Sequence, residues 1–237
     1  MKLFALITAR CSSGRFPNKV ISMLGGKPMI EQIIIKAKKL KDIDGIVLST
    51  SVLEADDILV SIAHENGIYW YRGSNEELAD RHWDTWDEFD LTHAITMSGD
   101  SPFFDLEIAQ RIIKRMREYS DYWTYGAYSP LGCLVSGHLT GGISRQLLEA
   151  QVKAYKKCKN KAEIQECYAQ AFSLPVGDPR ICLVDCSDIM PPTKTAIKID
   201  IDYPLEMAVM NRAIEHLGYF PEKYEQIEKA YKEIVSL

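Results

Sequence analysis

Short apolar runs alternate with amphipathic helical patterns through the first half of the chain, and this alternation constrains the fold more than any other feature. The strand-like runs are Leu3–Thr8, Gly45–Thr50, Ile68–Tyr71 and His93–Met97. The first of them is continuously apolar, as expected of a strand that is covered on both faces. Strand–helix alternation of this kind predicts an α/β fold with a mostly parallel sheet and right-handed crossovers.

Length and charge narrow the class of protein. The chain has 237 residues, enough for one sizeable core, and we expect residues 1–237 to form a single domain. The strand–helix rhythm breaks at about 121–178, which we interpret as an insertion. A net charge of −5 argues against nucleic-acid binding. No apolar run approaches the roughly 18–20 residues that cross a bilayer, so we expect a cytoplasmic protein that binds no membrane.

The loop after the first predicted strand carries three fixed cations, Arg10, Arg15 and Lys19. Its Ser13 and Gly14 are small enough to let backbone N–H groups approach phosphate oxygens. Arginine presents a planar fork to two oxygens and lysine a compact charge, so the mixture suits a polyphosphate. The pattern is neither a P-loop nor a dinucleotide fingerprint, and a solvated loop with clustered cations is the alternative.

The six cysteines are scattered and form no C-x-x-C pair, which is typical of reduced thiols rather than a disulfide framework or a zinc site. Cys11 lies inside the cation-rich loop. Because no histidine partner neighbours it in the sequence, we interpret it as an ordinary small residue and not as a nucleophile.

Two acidic residues follow predicted strands in separate parts of the chain. Asp100 comes directly after Gly99, and Asp202 precedes a predicted helix, with Asp200 two residues before it. Ligands of parallel sheets bind beyond the carboxyl ends of the strands, where both residues are expected. Two such carboxylates suit Mg²⁺, which takes one or two carboxylates together with phosphate oxygens. A role in a turn or a helix cap is the alternative for each residue.

The run from Ile7 to Lys27, ITARCSSGRFPNKVISMLGGK, closely resembles the opening of the cytidylyltransferases that make CMP-activated sugar acids. The nearest likeness is to the spore-coat polysaccharide biosynthesis protein F family, and a more distant one is to CMP-Kdo and CMP-sialic acid synthetases. Further motifs occur in the family's order: Arg72-Gly73-Ser74 with Asp80-Arg81, Ser98-Gly99-Asp100-Ser101-Pro102 and Ile201-Asp202-Tyr203-Pro204.

The resemblance implies a three-layer, Rossmann-like nucleotidyltransferase fold, a homodimer, and transfer of CMP from CTP to a small acceptor with release of pyrophosphate. It implies that Arg10, Arg15, Lys19 and Asp100 are catalytic and that Asp100 and Asp202 hold Mg²⁺. The nucleotide-binding positions that it implies are Thr8, Ala9, Arg10, Ser13, Gly14, Arg15, Lys19, Arg72, Asp80, Arg81, Ser98 and Gly99.

We expect the insertion at about 121–178 to cover the acceptor site and to form a candidate dimer contact. The identity of the acceptor is left open, because the likeness weakens in the second half of the chain. Glu166-Cys167 stands where related sequences often have Glu-His, and Gly132–Ser136 stands in place of an acidic strand motif. A sugar acid, a phosphonate or a phosphorylated metabolite would each supply the oxygen nucleophile, in surface polysaccharide or related biosynthesis. Two alternatives are a glycosyltransferase that uses a nucleotide sugar and an inactive nucleotide-binding regulatory domain.

Overall fold

The computed structural model describes residues 1–128, 141–157, 178–189 and 199–235. Its strands are β1 (Leu3–Thr8), β2 (Met23–Leu24), β3 (Lys27–Pro28), β4 (Gly45–Ser51), β5 (Tyr69–Gly73), β6 (His93–Ser98), β7 (Thr124–Tyr128), β8 (Gly141–Ser144) and β9 (Ile181–Asp185). Its α-helices are α1 (Met29–Ala37), α2 (Asp57–Glu65), α3 (Leu78–Glu88), α4 (Leu106–Glu118), α5 (Arg145–Tyr155), α6 (Pro204–Leu217) and α7 (Tyr224–Val235). Short 3-10 turns lie at Lys19–Ile21 and Glu54–Asp56.

In the described part of the chain, seven of these strands form one sheet in the order β5-β4-β1-β6-β8-β7-β9. β1 pairs in parallel with β4 and β6, and β4 pairs in parallel with β5. β8 runs antiparallel to both of its neighbours, while β7 and β9 are parallel to each other. The sheet is therefore mostly parallel, as the strand–helix alternation predicts.

Alternate residues of the central strand β1 enter two different hydrophobic cores. Leu3, Ala5 and Ile7 pack with side chains of α1, α2, α4, α6 and α7 on one face. Phe4 and Leu6 pack with side chains of α3 and α5 on the other. Because a strand with both faces covered must be apolar at every position, this arrangement explains the continuous apolar run in the sequence. Two helical layers enclose the sheet, which confirms the three-layer α/β prediction.

Helix boundaries follow local signals in the sequence. The Asp105 side chain accepts hydrogen bonds from Glu107 N at 2.9 Å and Ile108 N at 3.1 Å, so it caps α4 as its position predicts. The pattern at Ser51 predicts a capping box with Glu54, but the Ser51 hydroxyl instead donates to Asp56 and a 3-10 turn precedes α2. Ser51 is the last residue of β4, and its Oγ atom accepts from Leu53 N at 3.2 Å rather than from the backbone of α2.

The carboxyl ends of β1 and β6 lie side by side. Thr8 is in register with Ser98, and Gly99 N donates to Thr8 O at 2.8 Å. A Cβ on Gly99 would lie 2.7 Å from the Ala9 Cβ atom, so this close approach of two chain segments requires glycine. The loops that follow the two strands therefore leave the sheet together, at the edge where a parallel sheet binds its ligands.

Part of the predicted 121–178 insertion joins the main body of the protein. β7 and β8 extend the sheet, and α5 contributes Leu147 and Leu148 to the smaller core. The rest of that segment, with the acceptor-half motifs at 132–136 and 166–167, lies outside the described residues. Its role over the acceptor and in a dimer contact stays a prediction. Among the described residues, no helix combines the length and the apolar character that a bilayer crossing requires.

Candidate active site

A pocket of about 420 Å³ opens at the carboxyl ends of β1 and β6. Its walls come from the loop after β1, the turn after β6 and the start of α3. The lining residues are Thr8, Ala9, Arg10, Ser12, Ser13, Gly14, Arg15, Lys19, Val20, Asn75, Glu76, Leu78, Arg81, Ser98, Gly99 and Asp100. The first strand's cation-rich loop and the Asp100 turn, which are distant in sequence, thus share one cavity.

The cation-rich loop is anchored from below by Asp56, a residue with 1% of its surface exposed. Asp56 Oδ1 accepts from Cys11 N at 2.7 Å, and its other oxygen accepts from the Ser51 hydroxyl. Cys11 O in turn accepts from Ser13 N and Asn18 N, each at 2.9 Å. The buried carboxylate therefore fixes the backbone at the base of the loop. In the sequence, Asp56 is distinguished only as a polar residue near the start of a predicted helix.

The Cys11 thiol has no nucleophilic character in this setting. It is buried, and burial together with the neighbouring Asp56 carboxylate raises the thiol pKa to about 12. A thiol with this pKa is almost entirely protonated near neutral pH, and the thiolate is the reactive form. The structure thus agrees with the interpretation of Cys11 as a small packing residue.

Asn75 joins the loop to the opposite wall of the pocket. The Arg10 guanidinium donates to Asn75 O at 2.6 Å, and the Ser12 hydroxyl donates to Asn75 Oδ1 at 3.1 Å. The Asn75 amide nitrogen donates to Glu76 Oε1 at 3.2 Å. Arg10 therefore reaches across the rim of the pocket to a neutral carbonyl. Asn75 lies just beyond the Arg72-Gly73-Ser74 motif, which is the only sequence signal that points to it.

Lys19 stands at the centre of the charged cluster. Its ammonium nitrogen lies 3.1 Å from Asp100 Oδ2 and 3.2 Å from Asp202 Oδ1, and it also donates to Ile201 O at 3.0 Å. Only 9% of the Lys19 side chain is exposed. Asp100, which follows β6, and Asp202, which precedes α6, thus converge on one cation. A buried ammonium requires such partners, because an unpaired charge in the interior is costly.

Asp202 has a second cationic partner and a fixed backbone. Arg15 Nη2 donates to Asp202 Oδ1 at 2.8 Å, and the Arg15 guanidinium lies 5.8 Å from the centre of the Tyr203 ring. Glu206, in the first turn of α6, accepts from Asp202 N at 2.6 Å and from Tyr203 N at 3.0 Å. This helix-start arrangement, with Pro204 at the first helical position, holds Asp202 against Arg15 and Lys19. Both cations line the pocket, whereas Asp202 itself is not a lining residue.

Two serines orient the Asp100 turn. The Ser98 hydroxyl donates to Asp100 Oδ1, and the Ser101 hydroxyl donates to Asp200 Oδ1 at 2.8 Å. Ile201 N also donates to Asp100 O at 2.9 Å, which ties the turn to the segment that carries Asp202. Asp200 therefore contacts the turn through Ser101 and is not a lining residue of the pocket.

His82 supports the end of β1 from beneath the pocket. Its Nε2 atom lies 2.8 Å from Thr8 Oγ1. Burial, together with the positive charge of Arg81, lowers the His82 pKa to about 4, so the ring is neutral near neutral pH. Arg81 itself is buried and donates to Ser74 O at 2.6 Å. Arg81 is therefore not an exposed helical charge, although an exposed charge pair with Asp80 is the commoner arrangement for such residues on a helix.

Two of the predicted nucleotide-binding residues lie outside the pocket lining. Arg72 donates to Ser51 O at 3.0 Å and Leu53 O at 2.8 Å, and it pairs with Asp57 at 2.6 Å. These contacts brace the loop after β4 against β5. Asp80 is half-buried on α3 and does not line the cavity. The other predicted nucleotide-binding positions all line it.

The donor set of the pocket fits a hard divalent cation bound together with phosphate. In the described ranges there is no group of three or more His, Cys, Asp or Glu side chains arranged for a metal ion. Asp100 and Asp202 nonetheless present carboxylate oxygens to one shared position, now held by the Lys19 ammonium. Mg²⁺ is bound in nucleotide sites through one or two carboxylates with substrate phosphates supplying further oxygens, so two acids suffice.

Residues 4–130 match the family model described as cytidylyltransferase. The chain belongs to the cytidylyltransferase family. It is 32% identical over 158 residues to the spore coat polysaccharide biosynthesis protein SpsF of Bacillus subtilis (strain 168). That match covers 63% of this chain and 66% of the relative, slightly less than two thirds of its length. The predicted likeness to the spore-coat group is confirmed.

Solved structures share the fold of the whole chain. A cytidylyltransferase from Leptospira borgpetersenii serovar Hardjo-bovis aligns with a TM-score of 0.77 at 18% identity, over 100% of this chain and 96% of that one. A CMP:2-keto-3-deoxy-manno-octonic acid synthetase complexed with CTP aligns with a TM-score of 0.66 at 14% identity, over 92% of this chain and 100% of that one. At such identities the likeness establishes the fold, and function must be argued from the site.

Proposed function

We propose that this protein is a Mg²⁺-dependent cytidylyltransferase that transfers CMP from CTP to a small acceptor and releases pyrophosphate. The acceptor class is a sugar acid, a phosphonate or a phosphorylated metabolite, and the setting is surface polysaccharide or related biosynthesis. Family membership supports the nucleotide and the reaction type. A homodimer, expected from the family resemblance, belongs to the same proposal.

One observation carries the proposal: Arg10, Arg15, Lys19 and Asp100 line a single cavity, and Asp202 pairs with two of these cations, Arg15 and Lys19. Nucleotidyl transfer breaks the bond between the α-phosphorus and the bridging oxygen of pyrophosphate as the acceptor oxygen bonds to that phosphorus. Negative charge grows on the departing pyrophosphate. Fixed cations aimed at that charge stabilise the transition state more than the ground state.

The chain's own residues supply positioning and charge. Arg15 and Lys19 would contact the phosphate tail, and Arg10 would exchange its neutral partner Asn75 O for phosphate oxygens. Asp100 and Asp202 would hold Mg²⁺, which when bound polarises a phosphate oxygen and helps align the acceptor. No covalent protein intermediate is needed, in agreement with the protonated state of Cys11.

A pyrophosphate-release screen tests the proposal. The four nucleoside triphosphates are crossed with sugar acids, phosphonates and phosphorylated metabolites, with Mg²⁺ or with EDTA. We expect release from CTP with one acceptor class, dependent on Mg²⁺, and a CMP-linked product by phosphorus NMR. Activity confined to another nucleotide would contradict the cytidylyl assignment while preserving the reaction type.

The variant Asp100→Ala tests the role of one carboxylate in the same screen. We expect turnover to fall by about 10²-fold or more, because one carboxylate of the two is lost from the reacting centre. The matched control is Asp87→Ala, since Asp87 forms an exposed ion pair with Arg145 far from the pocket lining. Circular dichroism checks that both variants are folded. Unchanged turnover in Asp100→Ala would remove Asp100 from the mechanism.

A glycosyltransferase, the first alternative, would release a different product. Such an enzyme would consume a nucleotide sugar and release a nucleoside diphosphate, so it would yield no pyrophosphate from CTP. The inactive-domain alternative predicts nucleotide binding without turnover in every combination of the screen. The three cations of the loop after β1 would stabilise a departing pyrophosphate. They therefore favour the cytidylyltransferase over the glycosyltransferase and over the inactive domain.

A further inference from the structure

The charged groups of the pocket are already paired with one another. Asp202 contacts both Arg15 and Lys19, and Lys19 also contacts Asp100. The same acids would hold a divalent cation in the proposed function, and the same bases would hold a triphosphate. Each ligand must therefore displace a partner that the protein itself provides.

We propose that the Lys19 ammonium occupies the divalent-cation position between Asp100 and Asp202, and thereby makes metal binding depend on the nucleotide. This inference rests on the proposed function, because it assigns the regulation of that same site. Lys19 then has two alternative sets of partners. The acids hold it in the free protein, and phosphate oxygens hold it in the loaded site.

Binding of the metal alone is unfavourable in this arrangement. A cation that takes both carboxylates leaves the buried Lys19 ammonium with its hydrogen bond to Ile201 O but without either carboxylate. A buried charge without an opposite charge carries a desolvation penalty. The metal would also place a double positive charge beside Lys19 and Arg15, which repel it.

Binding of the triphosphate alone is unfavourable for the opposite reason. If Lys19 and Arg15 turn to phosphate oxygens, Asp100 and Asp202 lose the cations that lie 2.8–3.2 Å from them. The two carboxylates then face each other and a highly charged anion in a half-buried site. Like charges at close range disfavour one another.

Binding of both ligands removes both penalties. The metal pairs with the acids, the ammonium and guanidinium pair with the phosphates, and every charge keeps an opposite charge. The two ligands therefore assist each other, and the assistance is equal in both directions by thermodynamic linkage. The Ile201 carbonyl bond keeps the Lys19 nitrogen at the site through the exchange.

Mn²⁺ serves as the probe, because its binding is read directly by electron paramagnetic resonance without turnover. Its affinity is measured with and without CTP for the native protein, Lys19→Met, Lys19→Arg and Lys27→Met. For the native protein we expect weak binding of Mn²⁺ alone and a gain of about 10-fold or more with CTP. For Lys19→Met we expect about 10-fold tighter binding of Mn²⁺ alone and a smaller gain with CTP.

The other two variants distinguish the effect of the positive charge at position 19 from the effect of replacing a lysine side chain. Lys19→Arg keeps the positive charge, so we expect it to retain weak binding of Mn²⁺ alone. Lys27→Met is the matched control, since Lys27 forms an exposed i,i+4 pair with Glu31 on the surface. It should match the native protein in both conditions.

A second experiment measures the binding of an anion, and its outcome does not depend on whether Lys19→Met folds. Asp202→Asn removes the acid that Lys19 and Arg15 share. In EDTA, we expect calorimetry to show about 5-fold tighter binding of inorganic pyrophosphate than in the native protein, because Arg15 loses its pairing with Asp202 and Lys19 loses one of its two carboxylates. Unchanged or weaker pyrophosphate binding would overturn the inference.

The outcomes distinguish this inference from the proposed function. If Lys19→Met binds Mn²⁺ alone no better than the native protein, Lys19 does not compete for the metal and the inference is wrong, although the transferase proposal stands. If the native protein binds neither Mn²⁺ nor CTP, the proposed function and the inference both fail.

Discussion

Two lysines of this protein are buried to a similar degree, and their surroundings differ. Lys19 has 7% of its surface exposed and Lys36 has 3%. Lys19 contacts two carboxylates within 3.2 Å at the edge of a cavity. Lys36, on α1, donates to the carbonyl of Pro221 at 3.1 Å and lies 4.7 Å from the centre of the Phe104 ring.

The difference appears in the electrostatics of Lys36. Burial lowers its pKa to about 7, and the more distant acids Asp105 and Glu222 offset only part of that effect. Lys36 has a packing role, because it connects α1 to Pro221, which precedes α7, and to Phe104, which precedes the α4 cap. A buried lysine therefore indicates a binding site only where close acids and an open cavity accompany it.

Turnover of Lys19→Met and Lys36→Met tests this contrast most strongly. We expect Lys19→Met to lower kcat/KM for CTP by about 10²–10³-fold, because a fixed cation at the reacting phosphates is lost. Lys36→Met should stay within about 3-fold of the native value. Pyrophosphate release under Mg²⁺ measures both. Equal losses in the two variants would break the comparison.

A third buried charged residue, Asp56, extends the comparison of Lys19 with Lys36. Its partners are backbone and hydroxyl groups beneath the pocket. We expect Asp56→Ala to raise KM for CTP by about 10-fold and to lower the free energy of unfolding by about 1–3 kcal/mol, since Cys11 N loses its acceptor. Asp56→Asn keeps an acceptor oxygen and should recover most of the affinity. Denaturant titration and steady-state kinetics separate the two effects.

The pH dependence of stability tests the Lys36 environment. The Lys36 pKa is about 7 in the folded protein and near its ordinary value of 10.5 when unfolded. Between those values the unfolded state binds more protons, so Lys36 makes the free energy of unfolding rise with pH from about 7 to 10.5. Urea titrations across this range should show a shallower rise for Lys36→Met. An identical slope would contradict the packing account.

The smallest effect is expected at the rim of the pocket. Asn75→Ala removes the acceptor of the Ser12 hydroxyl and leaves the backbone carbonyl that holds Arg10. We expect KM for CTP to rise about 2–5-fold with kcat nearly unchanged, which corresponds to the loss of one modest hydrogen bond. Asn66→Ala, at the end of α2, is the control. A large fall in kcat would contradict this expectation and would indicate that Asn75 acts in the chemical step.

Much of the fold was predictable, since it depends on patterns that are local in sequence. β1 occupies the predicted residues, and α4 begins after its predicted cap. The Ser51 cap was predicted wrongly, because Ser51 ends β4 and a 3-10 turn precedes α2. Lys19 and Asp100 were predictable as site residues because charged side chains in short motifs follow strand ends. Their ion pair was not, since 81 residues separate them.

The amino-acid sequence by itself determined the alternation of strands and helices, the cation-rich loop and the acids at strand ends. Apolar periodicity and residue type are local properties, and they need no knowledge of partners. Only the tertiary structure decided which charges meet. Lys19 lies between Asp100 and Asp202, Asp56 lies under Cys11, and Arg72 braces a neighbouring loop away from the pocket. Partner choice depends on distance and burial, and both arise only when separate strands are brought side by side.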